Sequence, residues 1–164
     1  MRLRASLGLL VVLPLAFGAC AAKEEAAPPP PPEPMSQAGA DAVRGSFINL
    51  YMSKNAAGVA EFYVDNAVKY AGDGTAANGK AAIQAAFEAM MSAGQDSLGI
   101  TSTGFQAEGD QAVDQGTWVM RALDKNKEAS YQGGQYVMTF GRQADGGFKI
   151  VKDSVFNVQK LETR

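Results

Sequence analysis

The chain has no histidine, a single cysteine and no proline from Ala38 to Arg164. Each absence removes a class of chemistry. Without imidazole there is no Ser-His-Asp or Cys-His nucleophile and no His-ligated zinc, and no side chain ordinarily titrates near neutrality. One cysteine allows no internal disulfide, no CxxC pair and no iron–sulfur cluster. Basic charge is also scarce: 15 Lys+Arg stand against 17 Asp+Glu, with a formal net charge of -2 and a pI near 5.2, so nucleic acid is not an expected partner. Asp65, Asp73 and Asp110 border turns, but their spacing is not that of a calcium loop, and no metal or cofactor is expected. What remains is Asp, Glu, Tyr and Lys chemistry, or binding without chemistry. The 164 residues are enough for one domain.

One apolar run stands out, Ser6 to Ala19, preceded by Arg2 and Arg4. It is too short to span roughly 30 Å of hydrocarbon, but it suits a signal-peptide core. Residues 1–19 are therefore expected to be an export signal. The run ends in Phe17-Gly18-Ala19-Cys20, which resembles a bacterial lipobox, with Phe17 where that pattern prefers Leu. The resemblance implies an acylated Cys20 that holds the chain on a lipid bilayer. Ala21 after the cysteine matches outer-membrane lipoproteins facing the periplasm. Ordinary cleavage at Ala19-Cys20-Ala21, giving a soluble periplasmic protein, is the alternative.

Residues 20–37 hold the cysteine and a Pro-rich tether, with Pro28 to Pro32 consecutive. Such a segment cannot form a core and reads as a polyproline II spacer. The domain proper is expected over residues 38–164.

Within it, Ala40, Val43, Phe47, Leu50 and Tyr51 recur at helical spacing, predicting a helix over Ser36–Lys54. Asn55 to Gly58 breaks it, and Val59, Phe62 and Tyr63 predict a second helix ending near Asp65. Ala67 to Tyr70 reads as a short strand closed by Gly72-Asp73-Gly74. Asn78-Gly79 starts a third helix carrying Ala82, Ile83, Ala86, Phe87, Met90 and Met91, stopped by Gly94. The period then becomes two. Ser97–Glu108, Gln111–Leu123, Ala129–Arg142 and Gly147–Val158 read as long strands joined by short turns, an antiparallel meander. Glycines inside them mark bends. The expected fold is α+β: a cone-shaped half-barrel in which three helices pack on a strongly curved antiparallel four-stranded sheet plus a short extra strand. A pocket at the open end follows.

This order of elements resembles the nuclear transport factor 2-like superfamily, in its SnoaL-like branch. The carriers are Ala56 to Tyr63 leading to Asp65-Asn66-Ala67-Val68, Asn78 to Ile83, Gly116-Thr117-Trp118, Gly134-Gln135-Tyr136, and Gly147 to Val151 ending in Asp153 and Asn157. The resemblance implies a ligand-binding or isomerase-like domain that commonly pairs as a homodimer through its sheet. In the steroid isomerases a Tyr on the first helix and an Asp beyond the first strand do the chemistry. Those places fall on Phe47 and Ala71 here, so that mechanism is absent. The histidine used by the dehydratase and cyclase branches is absent too.

Asp153 and Asn157 share parity on the last strand, as do Asp114, Gly116 and Trp118 on the second long one. If both sets face inward, two carboxylates and an amide line one apolar cavity, and Asp153 or Asp114 becomes a candidate general base. Trp118, Tyr136, Tyr51 and Phe47, with Asn157, are the candidate ligand-binding wall. Facing outward, Asp153 would simply pair with a lysine. The reading favoured by the sequence is a membrane-anchored domain that binds a small apolar molecule or a partner protein without catalysis. The alternative is an isomerase, hydro-lyase or hydrolase using an Asp base.

Overall fold

A computed structural model describes residues 30–162. The expected export signal, Cys20 and most of the tether lie outside the described residues. The compact unit that carries the fold starts at Pro31. Met35, assigned to the tether by composition, is buried in the core.

Helix α1 (Gln37–Met52) starts where the Ser36 hydroxyl accepts from the Gly39 amide at 3.0 Å, satisfying one of the free N–H groups of the first turn. It buries Ala40, Phe47 and Tyr51. Helix α2 (Ala56–Ala60) is a single turn capped by the Asn55 side chain on Gly58 N at 2.8 Å. Expected to run to Asp65, it stops five residues earlier, because Phe62 and Tyr63 are β-favouring residues that the sheet captures: Ile150 N donates to Phe62 O at 2.7 Å. Tyr63 therefore opens strand β1 (Tyr63–Tyr70), longer than the predicted Ala67–Tyr70. A short strand β2 (Ala76–Asn78) precedes helix α3 (Lys80–Ser92), which buries Ile83, Phe87 and Met91 at four-residue spacing.

The meander follows as β3 (Gln95–Glu108), β4 (Gln111–Leu123), β5 (Ala129–Arg142) and β6 (Phe148–Leu161). All strands join one six-stranded sheet in the order β2-β1-β6-β5-β4-β3. This extends the expected four-plus-one sheet in two ways. The β2 segment was read only as a lead-in to a helix, and β1, whose direction the sequence left open, lies parallel to β6. The parallel pairing is the physical consequence of a chain that leaves β1, crosses over through α3 and three meander strands, and returns alongside.

The sheet curves over α1 and α3, burying an aromatic cluster between the layers. Phe47 meets Phe62, Tyr63 and Phe87 with ring centroids 5.7–6.4 Å apart. Bends coincide with glycines at close approaches. A Cβ on Gly116 would lie 2.0 Å from the Thr101 carbonyl oxygen of the next strand, at a point where β3 and β4 shift register between Ser102 and Gly104.

The two ends of the sheet differ. At one end sit the turns around Gly109-Asp110 and Asp145-Gly146. Arg142 gathers that end by donating to Asp110 Oδ1 at 2.7 Å, to Gly146 O at 3.2 Å and to the Glu33 backbone carbonyl, while it stacks 4.5 Å over the Phe148 ring. The opposite end carries Gln95, Gln132, Val158 and the loop after Tyr70.

Candidate ligand-binding site

At that opposite end a cavity of about 510 Å³ opens between the sheet and the helices, within the usual range of roughly 300–1,000 Å³ for small-molecule sites. Its walls are mostly apolar: Phe47 from α1, Phe87 and Met90 from α3, Leu98 and Ile100 from β3, and Trp118 and Met120 from β4 are among them. The rim includes Gly72 and Asp73, with Gln95 and Gln132 as polar members. Tyr51 closes one side, its hydroxyl donating to Gln95 Oε1 at 3.3 Å. Burial, and secondarily the charge of Asp96, pushes that phenol up to about 12.

One ion pair lies among the lining residues. Lys69 Nζ donates to Asp153 Oδ2 at 2.6 Å, and the buried Tyr63 hydroxyl donates to the same oxygen at 2.8 Å. Asp153 is 1% exposed and Lys69 11%. Its other oxygen, Oδ1, is buried without a hydrogen-bond partner. The Lys69 ammonium also stands 5.3 Å over the face of Phe87, a favourable cation–π placement. Burial, then the charge of Asp153 and the bond to it, holds the Tyr63 phenol well above its ordinary value.

Strand pairing explains the geometry. Lys69 pairs with Asp153, Asp153 with Met138 and Met138 with Asp114, so the two carboxylates occupy one row of the sheet with a strand between them. Their backbones are about 10 Å apart, and their partners differ. Asp114, 1% exposed, accepts from Arg44 Nη1 at 2.5 Å and from the Tyr136 hydroxyl at 2.9 Å on Oδ2, and from the Ser102 hydroxyl at 2.5 Å on Oδ1. It is fully satisfied, and it is not among the residues of the cavity wall. Asp114 ties helix α1 to the sheet behind Tyr136.

Of the residues proposed from sequence, Asp153, Trp118, Tyr136, Tyr51 and Phe47 meet on the cavity wall, together with Ala71. Asn157 does not. The pairings Gln135 with Phe156 and Gly133 with Gln159 leave one extra residue on β6, and Asn157 takes it up at φ 52°. The bulge breaks the alternation that linked Asn157 to Asp153. Asn157 is exposed, donating to the Gln135 side chain at 2.5 Å, and Val158 reaches the rim in its place. Arg121 makes a two-pronged pair with Asp96 at 2.9 Å. With Asp114 and Asn157 both off the wall, the expected pair of carboxylates and an amide on one cavity is not assembled.

Lys69 was missed as a site residue, and Tyr63 was considered only as one more aromatic of the wall. The signal was present for Lys69, which shares strand parity with the fully buried Ala67 and is followed two residues later by Ala71. A lysine partner for Asp153 was foreseen only on an outer face.

A family model described as a SnoaL-like domain matches residues 31–152. The fold is similar to that of an NTF2-like protein with a cystatin-like fold from Novosphingobium aromaticivorans, 20% identical, TM-score 0.60, covering 70% of this chain and 77% of that one. It is also similar to a ketosteroid isomerase-like protein from Erwinia carotovora, 14% identical, TM-score 0.64, covering 75% and 94%. A conserved protein from Planctomyces limnophilus gives a TM-score of 0.66 at 13% identity, covering 74% and 94%. No curated protein matches the sequence.

Proposed function

We propose, on the premise that this chain belongs to the SnoaL-like domain family, that it is a binding domain for a small, largely apolar molecule. One observation carries the reading: an open cavity of about 510 Å³ with apolar walls and a single ion pair among its lining residues. At roughly 30 Å³ per non-hydrogen atom, by analogy with the volume of a water, it takes about 17 such atoms. Apolar walls supply affinity, and the few polar groups fix orientation.

The chain contains one tryptophan, Trp118, and it lines the cavity. Its fluorescence is therefore a label-free reporter. Titration with two- and three-ring apolar molecules should give saturable quenching or a spectral shift. A Trp118 signal indifferent to every such compound, in a folded protein, overturns the reading.

The same proposal places the domain outside the cytoplasm, held to the outer membrane through an acylated Cys20 and facing the periplasm. The sheet's outer face, which exposes Val119 and Phe156, is assigned to pairing with a second copy, so dilution should lower the mass seen by light scattering.

A second reading is favoured by one residue. Asp153 is a carboxylate on the apolar cavity wall, oriented through Oδ2 by Lys69 and Tyr63, the placement a general base needs in an isomerase, hydro-lyase or hydrolase. Asp153→Asn separates the two readings: a conversion that disappears while apolar ligands still quench Trp118 supports catalysis, and the absence of any conversion in the unaltered protein supports binding alone.

A further inference from the structure

We infer that Lys69 is a covalent docking point for an apolar aldehyde or ketone, held in the cavity as a protonated imine paired with Asp153. The inference deepens the binding reading and rests on it. Among the described residues Lys69 is the only lysine on the cavity wall. The remaining described lysines are not part of that wall, and two of them, Lys80 and Lys149, serve ion pairs with surface carboxylates.

Three features of the surroundings suit carbonyl capture. The first is charge. Asp153 is 1% exposed, so any chemistry that neutralised Lys69 would leave a buried carboxylate without its counter-ion. Acylation or simple deprotonation does that; imine formation does not, because the iminium keeps the positive charge. The Phe87 face, 5.3 Å from Nζ, stabilises a cation in either form. The second is proton handling. Asp153 sits with Oδ2 2.6 Å from the amine, so it can both receive and return a proton. The third is the lining: the mostly apolar walls beside the amine favour an apolar carbonyl compound over water as the neighbour of Nζ.

The step balances without a co-reactant. The Lys69 ammonium gives a proton to Asp153, and the neutral amine forms a C–N bond to the carbonyl carbon as the C=O π bond breaks and its oxygen takes a second proton from the attacking nitrogen to become a hydroxyl. Asp153 returns its proton to that hydroxyl, the C–O bond breaks, and water leaves. Ammonium plus carbonyl has become iminium plus water, with the charge unchanged. Asp153 acts here as a proton carrier, a role worth about 10²–10⁴ in rate.

The test uses the full chain and 2-naphthaldehyde, followed by cyanoborohydride to fix the imine as a secondary amine, with the modified lysine located by peptide mass mapping. Occupancy of Lys69 should exceed that of any other lysine by about tenfold, the gain expected when the apolar wall holds the aldehyde beside this one amine. Saturating naphthalene should suppress it. Asp153→Asn should slow it, and Lys69→Arg should remove it. Naphthalene binding, seen through Trp118, keeps the two claims apart. If naphthalene binds but Lys69 is labelled no faster than surface lysines, or its labelling ignores naphthalene, the inference falls and the binding reading stands. If naphthalene does not bind at all, both fall.

Discussion

Replacing Lys69 by Met should destabilise the domain far more than replacing Asp153 by Asn, although both break the same 2.6 Å ion pair. Asp153 is 1% exposed and lies on a central strand, so it has no route to solvent once its cation is gone. Removing one partner of a buried pair in this way costs about 3–5 kcal/mol. Lys69 is different. At 11% exposure, with a four-carbon stem beside an open cavity, it can swing its ammonium toward the mouth. The amide that replaces the carboxylate can still accept from Tyr63, so D153N should cost only about 1–3 kcal/mol. Converting the whole polar group to apolar side chains, as K69M/D153L/Y63F, should recover most of the K69M loss, because no buried charge or hydroxyl is then left without a partner. Urea unfolding followed by far-ultraviolet circular dichroism measures all three. A K69M cost below about 1 kcal/mol, the range of solvent-exposed pairs, would refute the argument that this end of the cavity is a low-dielectric site.

Other expectations concern the core, the walls and the anchor. Tyr51, with its phenol raised from 10.0 to about 12, stays protonated in the folded state where the unfolded chain has begun to ionise. Its contribution is therefore intact below pH 10 and is lost between pH 10 and 12, and alkaline unfolding should shift upward in Tyr51→Phe. Gly116→Ala should destabilise by about 2–4 kcal/mol in urea titrations, since its Cβ would meet a neighbouring backbone oxygen at 2.0 Å. Ile100→Trp, which fills the cavity from β3, should weaken apolar ligands by at least about tenfold, or 1.4 kcal/mol, while the far-ultraviolet spectrum is retained. Cys20→Ser should move the protein from the membrane to the soluble fraction of export-competent cells; persistence in the membrane would refute the acyl anchor.

Much of the fold was legible because its signals are local. The stripe of Ala40, Phe47 and Tyr51 marked α1, and Gly94 and the turn residues delimited the strands to within a few positions. What stayed hidden was decided by partners distant in sequence. Tyr63 sits in a helix-compatible pattern, and only its pairing with Ile150 makes it strand. Ala76–Asn78 is too short to announce itself, and its three pairings with β1 exist only after folding. At the site, parity linked Asp153 with Asn157 and Trp118 with Asp114 but left open which face is inward, and it is the curvature of the paired strands that turns Asp153 and Trp118 to the cavity. Parity failed at Asn157, where a bulge adds one residue and turns the side chain outward; a lone Asn at positive φ leaves no trace in a pattern of apolar and polar letters. The two buried carboxylates look alike in sequence, yet Asp114 is saturated by Arg44, Ser102 and Tyr136, 70, 12 and 22 residues away.

The Arg142 clasp, with Glu33 bound through its backbone and Met35 sunk in the core, fixes the point where the polypeptide joins the folded body. Along β5, that point lies about 30 Å from Gln132 at the rim, counting ten residues of extended chain. The clasp and the doorway to the hollow therefore lie at opposite ends of the folded body. Deleting Glu33 to Met35 strips a core side chain and should loosen that body before it changes anything at the doorway.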